Sequence, residues 1–495
     1  MIGSMEQGQV VILGAGPAGL TAAYELAKAG VTSTVLEADD TVGGLARTAT
    51  YKGYRFDIGG HRFFTKVAIV EDLWREILGD DLLTRSRLSR IYYGGKFFSY
   101  PLRPLNALQG LGLIETARCL ASYGRSRLAP RRPENDFAAW VSNRFGQRLF
   151  ELFFKTYTEK VWGIPCTEIQ AEWAAQRIKG LSLSSAIKNA FLGERARRKD
   201  DVVKTLIDKF LYPRHGPGMM WEKASERTEA MGSKVILNAP VDRVLWRRNA
   251  IEAVEAGGRL YRGRQFVSSI AIRDLIEGLE PAAPPEVLAA AQNLQYRDFL
   301  TVALILRRKD LFPDNWIYIH DPRVQMGRVQ NFGNWSPEMV PDQETTCLGL
   351  EYFCFEGDGL WASSDEDLLE LGRREIAVLG LANPSDVIDG TVVRMKKAYP
   401  IYDGEYGAAV ATIRTFLETF PNLQLAGRNG MHRYNNQDHS MLTALFAARN
   451  ILGGNYDLWQ VNVDQEYHEE GKQVSTAELA AMDRAQPSVP RKVAR

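Results

Sequence analysis

Three glycines and an acid at fixed spacings near the start of the chain carry its most legible chemistry. Gly14-x-Gly16-x-x-Gly19 follows the apolar run Val10–Leu13 and opens a helical pattern, and Glu37 ends the next apolar run. In this setting Gly14 allows a tight turn, Gly16 lets backbone approach a pyrophosphate, and Gly19 lets helix and strand pack closely. The unpaired N–H groups at the helix start then hold the anion. Glu37, eighteen residues beyond Gly19, is placed to accept a hydrogen bond from a ribose 2′-hydroxyl. Two further pairs, Gly43-Gly44 with Arg47 close behind and Gly59-Gly60, exceed what one pyrophosphate turn needs. They point to close backbone approach along a large, extended cofactor. His61 follows the last pair directly. An imidazole of pKa about 6.5 could accept or relay a proton there.

The elements that must position these groups follow from periodicity. The fingerprint predicts strand, turn, helix, strand. Tyr51–Ile58 reads as a strand-like piece delivering the Gly59-Gly60-His61 loop, residues 67–80 as a helix, and Arg90–Tyr100 as a hairpin turning at Gly94-Gly95. The next hundred residues read as mainly helical, with one helix over 136–154 capped by Asn135 or Asp136. Two basic tracts interrupt them, Arg125–Arg132 and Arg195–Lys199, as solvated loops or as contacts to phosphates or an anionic surface. The α/β pattern resumes near 211, with a helix from about Met219 and strands near 233–237, 241–244, 250–254 and 264–269. Residues 291–306 and 314–354 alternate as strands, rich in aromatics. A helix over 364–379, a last buried strand at 422–428 and a helix over 441–451 complete the order.

At 495 residues the chain exceeds a single core, so two or more lobes are expected. With 45% hydrophobic and 24% charged residues it is an ordinary folded protein, not a disordered one. Sixty-one basic against 60 acidic side chains leave a net charge of +1, which gives no global field for nucleic acid. Four scattered cysteines and six unclustered histidines suggest free thiols in a reducing, cytoplasmic setting and no metal site. No run of eighteen apolar residues is present, so no transmembrane segment is expected.

Taken together the motifs resemble the FAD enzymes that include amine oxidases, protoporphyrinogen oxidase and phytoene desaturases. They are most similar to the UDP-galactopyranose mutase branch. Tyr157-Thr-Glu-Lys-Val-Trp-Gly163 nearly repeats that branch's tyrosine-threonine-glutamate-lysine-x-tryptophan-glycine segment. Gly59–Thr65 is similar to its histidine loop below the flavin, and Tyr399-Pro400 and Gly427-Arg428 fall where it has them. The resemblance covers about residues 8 to 455. It implies an α/β fold with a Rossmann-like FAD-binding domain, a helical insertion and a second lobe built on a mixed or antiparallel sheet. The FAD domain would comprise 8–65, 211–270 and 390–455, the helical substrate or lid region 66–210, the sheet lobe 271–389, and a polar tail 456–495.

The same resemblance implies FAD as cofactor, with Gly14, Gly16, Gly19, Glu37, Gly43, Gly44, Arg47, Gly59, Gly60, Gly427 and Arg428 around it. It places His61 and Arg328 beside the reacting ring. Tyr157, Lys160 and Trp162 would floor the substrate pocket, a packed helix end being the competing reading. Arg177, Tyr399, His432, Tyr434 and Asn435 would contact substrate. His432 and Asn435 stand where the mutase presents two tyrosines to a diphosphate, and the Gln176–Ser184 loop lacks its mobile-loop arginine. Residues 211–223 look more like the oxidase and desaturase relatives. The expected activity is FAD-dependent oxidation or reduction of a small-molecule sugar conjugate, nucleotide- or lipid-linked, with an external electron donor or acceptor. Redox-neutral mutase chemistry and oxidation of a polycyclic or isoprenoid substrate are the alternatives. A homo-oligomer is compatible with either.

Overall fold

The computed structural model describes residues 10–100, 104–171 and 209–462. Arg177, the tract Arg195–Lys199 and the tail from 463 lie outside the described residues.

The fingerprint strand Val10–Leu13 is the centre of a five-stranded parallel sheet, flanked by Gln265–Ser268 and Ser33–Leu36, with Leu423–Leu425 and Lys234–Ile236 at the edges. All four of its residues are buried because helices cover both faces, as a parallel sheet demands. The helix Pro17–Lys28 starts with proline in its first turn, where a missing N–H costs nothing, and packs on the helices Gly218–Ala230 and Gln437–Ile451. The core of this lobe also takes in Ile272–Glu277 and Pro285–Asn293. A four-stranded sheet, in the order 259–262, 250–256, 241–247, 279–280, sits beside it.

The second lobe is a seven-stranded mixed sheet, in the order 387–400, 296–306, 346–354, 328–331, 316–319, 89–93, 96–99. Its composition corrects three expected boundaries. The hairpin at 89–99 leaves the supposed helical region to pair with Trp316–Ile319, and Val387–Pro400 pairs with Tyr296–Leu306, so residues 390–400 belong to this sheet. Residues 285–293 are helical, and the strand begins only at Tyr296. The alternation expected over 296–306 and 346–354 is replaced by burial at every position. One face is covered by the helix Asp365–Val378 through Leu368 and Ile376, the other by Ile58 and the rings of Phe56, Phe210, Tyr212 and Trp335.

Phe137–Phe145 is capped as expected, the Asp136 carboxylate accepting the Ala139 N–H at 2.7 Å. The single helix expected to 154 stops at Gly146, which has φ +88° and where a Cβ would fall 2.7 Å from the Tyr123 nitrogen, leaving no room for a side chain. A short turn of helix, a π-helical turn at Glu151–Lys155 and the helix Thr156–Trp162 follow, the last closed by Gly163 in the left-handed region. Among the described residues no helix is long and apolar enough to cross a membrane, no group of three or more side chains is arranged for a metal, and all four cysteines are free and buried.

Candidate active site

Two glycine turns meet at the carboxyl end of the parallel sheet, where ligands bind in open α/β folds. Gly14 has φ +96°, and a Cβ on Gly19 would fall 1.8 Å from the Gly14 carbonyl oxygen, so only glycine closes this turn. Gly43 donates its N–H to Ala15 O at 2.9 Å, which lays the second turn on the first. A Cβ on Gly44 would stand 3.2 Å from Gly16 Cα, whereas one on Gly16 would meet protein no nearer than 3.9 Å. Glu37 is buried, and its two oxygens accept the N–H groups of Ala15 at 2.6 Å and Asp39 at 3.0 Å. Burial pushes its carboxyl up. Each oxygen keeps a second lone pair, so Glu37 can hold the turn and still accept from a hydroxyl. Arg47 pairs with Asp39 at the rim. Gly427 has φ +85°, a Cβ on it would fall 3.0 Å from Ala18 Cβ in the first helix, and Thr443 Oγ1 accepts its N–H.

The Gly59-Gly60-His61 loop continues from this cradle onto the second lobe. A Cβ on Gly60 would lie 2.9 Å from Arg328 Nη1 and 3.5 Å from Gln330 Nε2, so the loop backbone rests on those two side chains. Arg328 is locked by Glu351, Nε to Oε2 at 2.6 Å, and Gln330 donates to the other Glu351 oxygen. Burial pushes the Glu351 carboxyl up while Arg328 pulls against it. Burial also drives the His61 imidazole down to about 3, helped by the charges of Arg428 and Arg328. His61 is therefore neutral, and its Nδ1 forms no hydrogen bond among the described residues.

Aromatic rings cluster beside these groups. Tyr157 stacks on His320 at 4.7 Å and stands edge-on to Tyr318 at 5.6 Å. Tyr399 and Tyr434 stack at 5.6 Å, with Trp162 against both. The Arg428 guanidinium lies 5.3 and 4.9 Å from those two tyrosine rings, fixed by the carbonyls of Asn435 and Ala398, each at 2.9 Å. Burial raises both Tyr157 and Tyr399 above the ordinary phenol value, so both keep their protons.

Three expected substrate contacts are turned elsewhere. Lys160 gives its ammonium to the carbonyls of Ile319, Asp321 and Met326 at 3.3, 2.7 and 3.2 Å, and burial pushes it down to about 8. His432 is buried at φ +45° with Nε2 3.4 Å from Ile401 O, its ring edge-on to Tyr296. Asn435 donates to Gly427 O and accepts from Asn462, both at 3.0 Å. Each meets a nearer backbone or side-chain partner, and that partner fixes its direction. Glu351, Tyr318 and His320, which contact the candidate residues Arg328 and Tyr157, and Gln330, which donates to Glu351, were passed over by the sequence reading. The period of two in 316–330 puts each pair on one strand face, but Glu351 emerges only from the pairing of Arg328 opposite it.

A family model described as flavin containing amine oxidoreductase matches residues 17–452. The chain belongs to this family. It is an FAD-dependent enzyme, and the glycine cradle fits that group: the one glycine whose Cβ the protein itself would tolerate, Gly16, is the one facing outward from the turn. Over 92% of this chain and 98% of the other, the fold superposes on reduced UDP-galactopyranose mutase with a TM-score of 0.80 at 22% identity. Putrescine oxidase bound to putrescine gives 0.59 at 18% identity over 90% and 99%. These likenesses are of fold. In sequence, L-amino acid oxidase Cdc18 of Crotalus durissus cumanensis is 51% identical over 67 residues, 14% of this chain and 14% of that protein.

Proposed function

We propose that the enzyme oxidises or reduces a sugar carried on a nucleotide or a lipid. Bound FAD supplies the hydride acceptor or donor, at flavin N5. Gly14, Gly16 and Gly19 with Gly43, Gly44 and Arg47 hold its diphosphate side, Glu37 its ribose, and Gly427 and Arg428 the far side of the cradle. His61 and Arg328 flank the reacting end. The observation that carries this reading is the fixed pair of guanidinium groups, Arg328 and Arg428, beside a neutral imidazole and the rings of Tyr157, Tyr399 and Tyr434. Aromatic faces suit a sugar ring, and the arginines suit a phosphate or a developing oxyanion. When a hydride leaves a carbinol carbon, its hydroxyl must lose a proton. The neutral His61 imidazole, whose Nδ1 forms no hydrogen bond among the described residues, can accept the hydrogen bond of that hydroxyl.

A redox-neutral mutase reading draws on the Tyr157–Trp162 segment, whose rings join the same cluster. Against it, a departing diphosphate needs several donors, and His432 and Asn435 already face the carbonyls of Ile401 and Gly427. An anaerobic single-turnover assay over nucleotide sugars and lipid-linked sugars, following flavin absorbance and product mass together, decides. A product differing by two hydrogens with a matching flavin colour change is expected. An isomer of unchanged mass, formed only by pre-reduced enzyme, would replace this reading with the mutase.

A further inference from the structure

The helix Leu113–Leu128 presents an apolar face that nothing among the described residues covers. Leu113 is 89% exposed, Ile114 73%, Leu120 44% and Leu128 90%, with Ala117, Ala121 and Gly124 exposed between them. At 100° per residue these seven positions fall on one side of the helix, opposite Cys119, which is buried in the core of the helical region. Arg118 and Arg125 border the face on one edge and Arg127 on the other, with Arg131 and Arg132 just past the helix end. From 113 to 132 these five arginines meet one acid, Glu115, which is already shared between Arg118 and Arg148.

We propose that this face docks on an anionic lipid surface, the helix lying in the plane of the headgroups. Isolated exposed leucines are ordinary, but a continuous apolar stripe rimmed by cations is the pattern of an interfacial helix. The arginine stems reach from the edges of the stripe to phosphates while the leucines enter the acyl boundary. A protein partner with an apolar groove would not call for cations on both borders. The chain's net charge of +1 makes the attraction local to this face. The attachment is peripheral and does not depend on which substrate the active site takes.

Co-sedimentation of the full chain with two vesicle preparations tests it: phosphatidylcholine alone, and phosphatidylcholine with a third replaced by phosphatidylglycerol. Binding is expected to the second and to weaken with salt. The variant Leu113→Ser/Ile114→Ser/Leu128→Ser should partition roughly tenfold less or weaker still, with its flavin spectrum and melting temperature unchanged. Arg125→Gln/Arg127→Gln should lose the preference for the anionic vesicles. Wild-type protein that stays in the supernatant with both vesicles overturns the proposal, as does binding that the triple serine variant retains. A wild-type oligomer that ignores vesicles but dissociates on the serine substitutions assigns the face to a second copy, and overturns it too.

Discussion

Gly16 and Gly19 stand three residues apart in one motif, and the structure gives them opposite consequences. A methyl on Gly19 would fall 1.8 Å from a backbone oxygen that cannot move without unmaking the turn, so Gly19→Ala should fail to fold. Gly16 has open space before it. Gly16→Val should fold with a stability loss of about 1 kcal/mol, and should be colourless after purification. Soluble yellow protein from that variant would remove Gly16 from the cofactor contact. His432 makes a separate prediction in acid. Its folded pKa is lowered to about 4 from about 6.5 in the unfolded chain. The stability it contributes is present above the unfolded value and is lost as pH falls through the window down to the folded one, by up to about 3 kcal/mol. Asparagine tolerates the positive φ there, so His432→Asn should flatten the fall in urea midpoint across that window. His61 and His320, also buried neutral, would keep part of the slope. Identical slopes for wild type and variant would contradict this.

At the scale of elements, the short helix Thr156–Trp162 is pinned to the second lobe by Lys160 and packed by Trp162. Replacing Lys160 by methionine strands three carbonyls that now share one ammonium, at a cost of about 2–3 kcal/mol. Because the same helix carries Tyr157 into the ring cluster, KM should rise with the loss of docking even though the Lys160 ammonium is spent on backbone carbonyls. Unchanged KM in a destabilised Lys160→Met enzyme would separate the staple from the site. Trp162 is 3% exposed, and its replacement by alanine should cost about 3–5 kcal/mol by cavity formation. Lys160 is bonded to carbonyls and Trp162 is buried, while Tyr157 stacks on His320.

For the whole molecule, the cofactor cradle is assembled from segments near residues 14, 43, 59 and 427, and one of those segments rests on the second lobe through Gly60 and Arg328. FAD held in that cradle would tie the two sheets together. Ligand that binds only the folded chain stabilises it, by about 2.7 kcal/mol at a hundredfold excess over its Kd. Deflavinated protein should melt lower, and added FAD should restore the melting temperature in a concentration-dependent way. A melting temperature indifferent to FAD would mean that the cradle is not closed by its ligand.

The glycine turns, a cap at Asn135 or Asp136, the 94–95 hairpin turn and a helix starting near Met219 were all readable from the sequence, because each is set by interactions spanning a few residues. A φ that only glycine tolerates, or a carboxylate that reaches an N–H three residues on, leaves its mark in the local string. What the tertiary structure decided is who stands opposite whom. Arg328 meets Glu351 because two antiparallel strands pair in one register, and a slip of one residue would send both to the other face. The strands 296–306 and 346–354 lost their expected alternation because a helix from one part of the chain and aromatic rings from several others cover both faces. Lys160, His432 and Asn435 have side chains suited to substrate, yet each points to a carbonyl that comes near only on folding. Residue type sets what a group can bond to; the distance to the nearest unsatisfied partner, fixed by the packing of remote segments, sets what it does bond to.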